Sequence, residues 1–318
     1  MTRRTVGGNR TCGPLQAKGI AMGLLRLASY NIQYGKGKDG LYNLPRIVLD
    51  LGDRDIVALQ EVEVNFPRSG MVDQPAVIAG MLPHMHWVYG PGINVDASQM
   101  RDGRVIRARR QYGNMVLSRW PILSTVTHPL PKTALANVFH QQRVLVETVI
   151  ATPDGPLRFM SVHLDHVSPD TRLPQVEVML DLALNARHRG GNWGGRQRGD
   201  AFTETAPPMP EDVVVMGDMN FACDGPEYAR ILGDMSQWHG RTYRAGGLMD
   251  AWIAAGHYEL DGDTCPHDDG VEGPRRIDHC FVSARLGPMV NAMSIGVAAQ
   301  GSDHNPIFCD LMVMGRLG

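Results

Sequence analysis

Short apolar runs that end in polar residues recur along this chain. Residues 24–28 lead into Tyr30 and Asn31, 56–59 into Gln60 and Glu61, and 114–117 into Ser118 and Arg119. Residues 157–162 lead into His163, 213–216 into Gly217 and Asp218, and a sixth run, 276–282, holds Asp278. Their length and β-branched content predict strands. Between them the period changes. Apolar residues at 44, 47, 48 and 51 form one face of a helix over Leu44–Leu51. Val176, Met179, Leu180 and Leu184 predict a second over 174–186, and Pro226–Leu232 a shorter third with proline at a favoured first position. Residues 143–150 and 157–162, joined by Thr152-Pro153-Asp154-Gly155, predict a hairpin. Strands interleaved with helices point to an α/β (α+β) class, and the hairpin to mixed sheets covered on their outer faces.

Residues 1–20 read as a flexible N-terminal tail ahead of a single domain over 21–318, with no linker or repeat inside it. Two segments predict surface loops: 98–111, with five arginines, and 187–210, rich in Gly, Arg and Pro. The arginine cluster reads either as a solvated loop or as a clamp for an anionic substrate. With 43% apolar and 20% charged residues, composition is that of a globular protein and excludes disordered and fibrous classes. A formal net charge of -2 argues against a globally basic nucleic-acid binder. Five widely spaced cysteines (12, 223, 265, 280 and 309) make neither a disulfide framework nor a structural zinc site, and suit a reducing, cytoplasmic setting. The apolar run 19–25 reads as the approach to a first strand, and no stretch is apolar enough to predict stable membrane association.

The acidic and amide residues sit where strands end, and strand ends open onto the loops that build active sites. Asn31, Glu61, Asp218, Asn220 and Asp303 are hard oxygen donors, and His304 follows Asp303 directly. Such donors suit Mg²⁺ or Mn²⁺, which takes one or two carboxylates and binds phosphate oxygen.

The motifs Ser29-Tyr30-Asn31-Ile32, Leu59-Gln60-Glu61-Val62, 112–119 (YGNMVLSR) and Ser161-Val162-His163-Leu164 are followed by three more. These are Met216-Gly217-Asp218-Met219-Asn220, Arg276-Ile277-Asp278-His279 and Ser302-Asp303-His304-Asn305-Pro306. In this order the sequence resembles the endonuclease/exonuclease/phosphatase superfamily, which includes deoxyribonuclease-I-like enzymes, inositol-polyphosphate phosphatases and sphingomyelinases. The resemblance implies a four-layer αββα sandwich of two mixed sheets packed face to face. It implies one metal-centred site, with Glu61 as principal ligand and Asn31 and Asp303 assisting. It further implies that Asp218 and Asn220 position and activate water, that His304, held by Asp278, stabilises charge on the phosphate, and that His163 contacts it.

The chemistry agrees. Phosphoester hydrolysis needs an activated water, neutralised phosphoryl oxygens and help for the leaving oxygen. A His paired to an Asp can stay protonated and donate to a developing anion. The expected activity is therefore a Mg²⁺- or Mn²⁺-dependent phosphodiesterase or phosphomonoesterase acting on a small molecule or a nucleic acid. A DNA or RNA nuclease and a sphingomyelinase-like lipid phosphodiesterase are the alternatives within the fold; a non-catalytic binding protein is the alternative outside enzymology. Two positions depart from the family. Gln111 stands where the nucleases place a Tyr, with Tyr112 offset by one, so Tyr112 is left out of the expected site. His279 follows Asp278 where an aromatic is usual, and reads as either a substrate contact or packing.

Overall fold

Alternation along each strand, apolar on both faces in the centre of a sheet and on one face at its edge, dictates the architecture. The computed structural model describes residues 21–195, 204–266 and 275–315; the expected tail over 1–20 lies outside them. Strands β1 (Ala21–Asn31), β2 (Ile56–Val64), β3 (His86–Asp96), β4 (Arg109–Ser118), β5 (Ile122–Pro129) and β6 (Val144–Thr152) come first. They are followed by β7 (Gly155–His163), β8 (Val213–Asp218), β9 (Leu248–Asp250), β10 (Asp278–Ser283), β11 (Val290–Ile295) and β12 (Ile307–Gly315). The main helices are α1 (Leu44–Leu51), α2 (Gln74–Met81), α3 (Pro169–Leu184) and α4 (Pro226–Leu232). The strands form two six-stranded sheets, ordered β11-β12-β1-β2-β4-β3 and β9-β10-β8-β7-β6-β5. Both are mixed: β1 and β2 run parallel, as do β7 and β8, and their other neighbours are antiparallel.

Three apolar layers hold four structural ones together. Leu25, Leu27, Ile56, Val116, Phe159, Val214, Met216, Cys280 and Cys309 fill the seam between the sheets. The opposite faces of β1 and β2 present Tyr30, Val57 and Leu59 to Ile47 and Leu51 of α1 and Ile78 of α2. On the other side Met160, Val162, Val213 and Val215 meet Val176 and Met179 of α3 and Ile231 of α4. This is the four-layer αββα sandwich. Residues 213–216 of strand β8, covered on both faces, are an unbroken apolar run because neither side meets water.

Helices α1 and α4 and the hairpin turn stand where the pattern puts them. Helix α3 starts earlier, at Pro169, because Ser168 and Thr171 form a capping box there; Pro174 lies inside the helix. The loop expected over 98–111 is instead a ribbon of Gln99–Arg101 against Arg104–Ile106, running into β4. Strand β3 escapes the pattern because its Gly90-Pro91-Gly92 reads as a turn. As an edge strand it tolerates the proline. A Cβ on Gly113 opposite would lie 2.2 Å from the Gly90 carbonyl oxygen, so the close approach of β3 and β4 requires glycine.

Arg158, fully buried, ties sheet to helix. Its Nε donates to Glu147 Oε1 at 3.1 Å and its Nη1 to the Ala183 carbonyl at 3.0 Å, at the C-terminus of α3. Burial alone would raise the Glu147 carboxyl, but His128, Arg189 and Arg158 outweigh it and hold it down to about 2. Glu147→Gln strands the buried guanidinium and should cost about 3–5 kcal/mol at neutral pH in urea denaturation. A depressed carboxyl contributes stability above its unfolded value and loses it on acidification. The gap between wild type and variant should therefore narrow as pH falls from 4.5 toward about 2. A gap that stays constant through that window would contradict the assignment.

Candidate active site

The strands that build the seam become polar at one end. On β1, Leu25 and Leu27 are followed on the same face by Ser29 and Asn31; on β8, Val214 and Met216 are followed by Asp218. On β7, Phe159 leads to Ser161 and His163, and antiparallel β10 enters the seam with Asp278 before Cys280 and Val282. The parallel pairs β1/β2 and β7/β8 thus finish together. A polar relay marks the boundary: Ser29 Oγ donates to Gln60 Oε1 at 3.3 Å, and Gln60 Nε2 donates to Ser161 Oγ in the opposite sheet at 3.1 Å.

Glu61 reaches this end by a different device. Strict alternation would put it beside Val57 and Leu59, facing α1. The pairing of β2 with β4 slips between Leu59 and Val62, and Glu61 takes a left-handed φ of 61°. Such a bulge re-aims one side chain at a local cost in strain. Here it turns the carboxylate into the seam.

The resulting contacts join both sheets. Asn31 Nδ2 donates to Asp218 Oδ2 at 2.9 Å and to Glu61 Oε1 at 3.2 Å, and lies 3.4 Å from His304 Nε2. His304 Nδ1 bonds Asp278 Oδ2 at 2.8 Å. The Asn220 amide donates to Asp218 Oδ1 at 2.9 Å, and His163 Nε2 lies 3.3 Å from Asp218 Oδ2. Asp303 is tied in through the Gln33 side chain. All eight expected residues therefore gather at one place. Asp218, Asp278 and His304 bring ligand-type atoms within 4.8 Å of one another. Above them opens a cleft of about 240 Å³, lined by Tyr34, Glu61, Arg143, His163, Asp218 and His304 among others.

Burial and charge set the protonation states. Burial raises the Asp218 carboxyl to about 6, with Asp278 adding to the rise and His304 opposing it. Burial also raises Glu61, helped by Asp303 and opposed by Arg143. For His304 burial works against the charge, but Asp278 and Asp218 outweigh it and hold the imidazole protonated well above its usual range. His163 goes the other way: burial and then Arg143 keep it neutral. Arg143 Nη1 donates to His163 Nδ1 at 3.1 Å, which leaves the proton on the Nε2 that faces Asp218.

The Endonuclease/Exonuclease/phosphatase family model matches residues 28–304, from the middle of β1 to His304. The chain belongs to the Endonuclease/Exonuclease/phosphatase family. No curated protein matches it. Among solved structures, the family protein from Beutenbergia cavernae is 23% identical, with a TM-score of 0.61 over 92% of this chain and 72% of that one. The mannosyl-6-phosphatase of Bacteroides thetaiotaomicron is 19% identical (TM-score 0.57; 91% of this chain, 99% of that one). A humanized D. rerio TDP2 is 17% identical (TM-score 0.56; 90% and 98%). At these identities the likeness shows the shared fold.

Several residues of this family member's cleft lay outside the sequence expectation. Tyr112 lines the cleft, and its buried hydroxyl is pushed well above its ordinary range by burial and then by the Glu61 carboxylate, with Arg143 opposing. Period-two alternation with Asn114 and Val116 was the signal that could have placed it. Arg143 is buried, bonds His163 and His166, and has an unpartnered Nε; its only sequence trace is a charge just before a strand. His279, by contrast, packs: it stacks on Phe221 and Phe281 and bonds Arg276 and the Phe221 carbonyl. Neutralising Asp278 tests the His304 pair. In Asp278→Asn the His304 titration, followed by NMR of the imidazole, should fall by about one pH unit or more, because the strongest anion stabilising the imidazolium is gone. An unmoved titration would contradict the pairing.

Proposed function

We propose that this protein is a divalent-metal-dependent hydrolase of phosphodiester or phosphomonoester bonds, with Mg²⁺ or Mn²⁺ as cofactor, acting in the cytoplasm. The observation that carries this is the gathering of Asn31, Glu61, His163, Asp218, Asp278 and His304 on one cleft in a chain of a family whose members are metal-dependent phosphoesterases. Among the described residues no helix is long and apolar enough to cross a membrane.

The residues fit a hard cation. Glu61 and Asp303 are carboxylates, and Asn31 Oδ1, which accepts from the Gln33 amide, keeps a second lone pair. Burial and then Asp303 raise the Glu61 carboxyl, so a positive charge beside Glu61 would offset the cost of burying it. His304 is not a ligand in this reading, since its Nδ1 is engaged by Asp278 and it is held protonated, whereas metal binding needs neutral imidazole. Glu61 would thus hold the ion, assisted by Asn31 and Asp303. When bound, such an ion draws electron density from a phosphoryl oxygen and neutralises its charge.

Asp218 takes the water proton as a bond forms between water oxygen and phosphorus. Its raised carboxyl, near neutrality, suits a general base, and Asn220 fixes its orientation through the backbone amide. The bond from phosphorus to the leaving oxygen breaks with its electron pair on that oxygen, which is protonated from solvent. The His304 imidazolium, His163 and Arg143 face the phosphoryl oxygens and stabilise the charge that develops there.

Removing the carboxylates tests this reading. With Mg²⁺ or Mn²⁺, wild type should hydrolyse an aryl phosphodiester or phosphomonoester, and Glu61→Ala and Asp218→Ala should each lose about 100-fold or more in kcat. Undiminished turnover in both variants would sink the site; metal binding without activity on any phosphoester would revive the non-catalytic reading.

A further inference from the structure

One wall of the cleft is not used by the hydrolysis just described. Tyr34 lines the cleft on this wall, and Gln33 and Tyr34 both hold left-handed backbone, at φ 42° and 46°. Two adjacent non-glycine residues in that region are strained, and strain of this kind persists where the surroundings impose it. Here Gln74 Nε2 donates to the Tyr34 carbonyl at 2.7 Å, and the Gln33 side chain is engaged by Asp303. The result is a tyrosine ring presented to the cleft.

Rings and guanidiniums then alternate outward from it. The Arg68 guanidinium lies 3.7 Å over the Tyr34 ring and 5.6 Å from that of Phe66, and Arg110 lies 5.8 Å from Phe66. Arg110 Nε donates to the Asn65 carbonyl at 3.0 Å, which ties this wall to the base of the arm between β3 and β4. The arm ends in the ribbon that exposes Arg101 and Arg104, with Arg107 beside it. Among the described residues the one ion pair within the 94–110 arm joins Arg109 to Asp96, at 3.8 Å, and the arm carries five arginines against the two aspartates Asp96 and Asp102.

We infer that this wall is a track for a single-stranded oligonucleotide, whose scissile phosphate sits in the cleft while its neighbours run past Tyr34 and Phe66 to the arginine arm. The inference rests on the phosphoesterase reading and narrows it to a substrate class. Unpaired bases offer flat faces to rings and guanidiniums, and the backbone offers a phosphate at every step. A duplex keeps its base faces stacked inside and would offer this wall no base face. A small phosphate monoester fills the cleft alone and gives the arm nothing to bind.

The test uses the full-length protein and a fluorescent single-stranded oligothymidylate, with anisotropy read in chelator so that no cleavage intervenes. Wild type should bind with an affinity that falls as salt rises. The exposed-arm variant R101Q/R104Q/R107Q should bind at least about 10-fold more weakly, with a log–log salt slope shallower by about 2. Phe66→Ala should lose about 5-fold or more with an unchanged slope, since stacking releases no ions. With Mg²⁺ or Mn²⁺, the ratio of kcat/KM on the oligonucleotide to that on bis(p-nitrophenyl) phosphate should fall about 10-fold or more in the arm variant. Hydrolysis of the aryl diester with neither binding nor cleavage of the oligonucleotide would overturn the track and leave the phosphoesterase standing. Hydrolysis of neither substrate, nor of p-nitrophenyl phosphate, would sink the phosphoesterase reading and the track with it. The arm also exposes Met100 and Val105; arm-dependent binding to phosphatidylserine vesicles in place of the oligonucleotide would assign it to lipid and overturn the inference.

Discussion

Burying carboxylates against one another is unfavourable, and this protein does so at the end of its own core. Glu61, Asp218, Asp278 and Asp303 converge where the two sheets finish, and burial with mutual repulsion raises both Glu61 and Asp218. The positive charges facing them include His304, protonated because of its anionic neighbours, and Arg143, whose guanidinium bonds His163 and His166 and, among the described residues, no carboxylate. What holds the arrangement is the apolar seam behind it. Leu25, Leu27, Val214, Met216 and Phe159 are completely or almost completely buried, and fixing those strands fixes the polar residues that follow on the same faces. The free energy of the core thereby sustains a cluster that would not assemble alone.

Rigidity at that end has local sources too. Glu61 depends on a bulge with a left-handed residue, and Tyr34 on two consecutive left-handed residues. Both are strained, both point into the cleft, and both are held by neighbours: Asn31 for Glu61, Gln74 and Asp303 for the segment 33–34. Asn31 is the hinge of the design, bridging β2 and β8 through one amide.

Most of this was legible in the sequence where periodicity reports burial. The inner faces of β1, β7, β8 and β10 follow directly from alternation, and their polar ends name Asn31, His163, Asp218 and Asp278. Glu61 is legible as the polar end of an apolar run and by motif, but its face is not, because the bulge breaks the period that would have given it. Arg143 was invisible: the fold packs it against His163 across a hairpin, and nothing local marks a buried cation. Strand β3 was hidden by a Gly-Pro-Gly that mimics a turn, and the arginine segment by charges that suit a loop equally well. Tyr112 was set aside on family spacing although its alternation with Asn114 and Val116 faced it inward. For Glu61, Arg143 and strand β3 the deciding interaction lies between segments distant in the chain, where local pattern carries no information.

The ligand assignment of Glu61 separates this account from one built on the neighbouring Asp218, Asp278 and His304 cluster, whose imidazole is already committed to a hydrogen bond. Anomalous diffraction from crystals soaked in Mn²⁺ discriminates between them directly. The account predicts a manganese peak at the Glu61 carboxylate, with the His304–Asp278 hydrogen bond intact. A peak bonded to the His304 imidazole, or manganese bound elsewhere with Glu61 untouched, would contradict it.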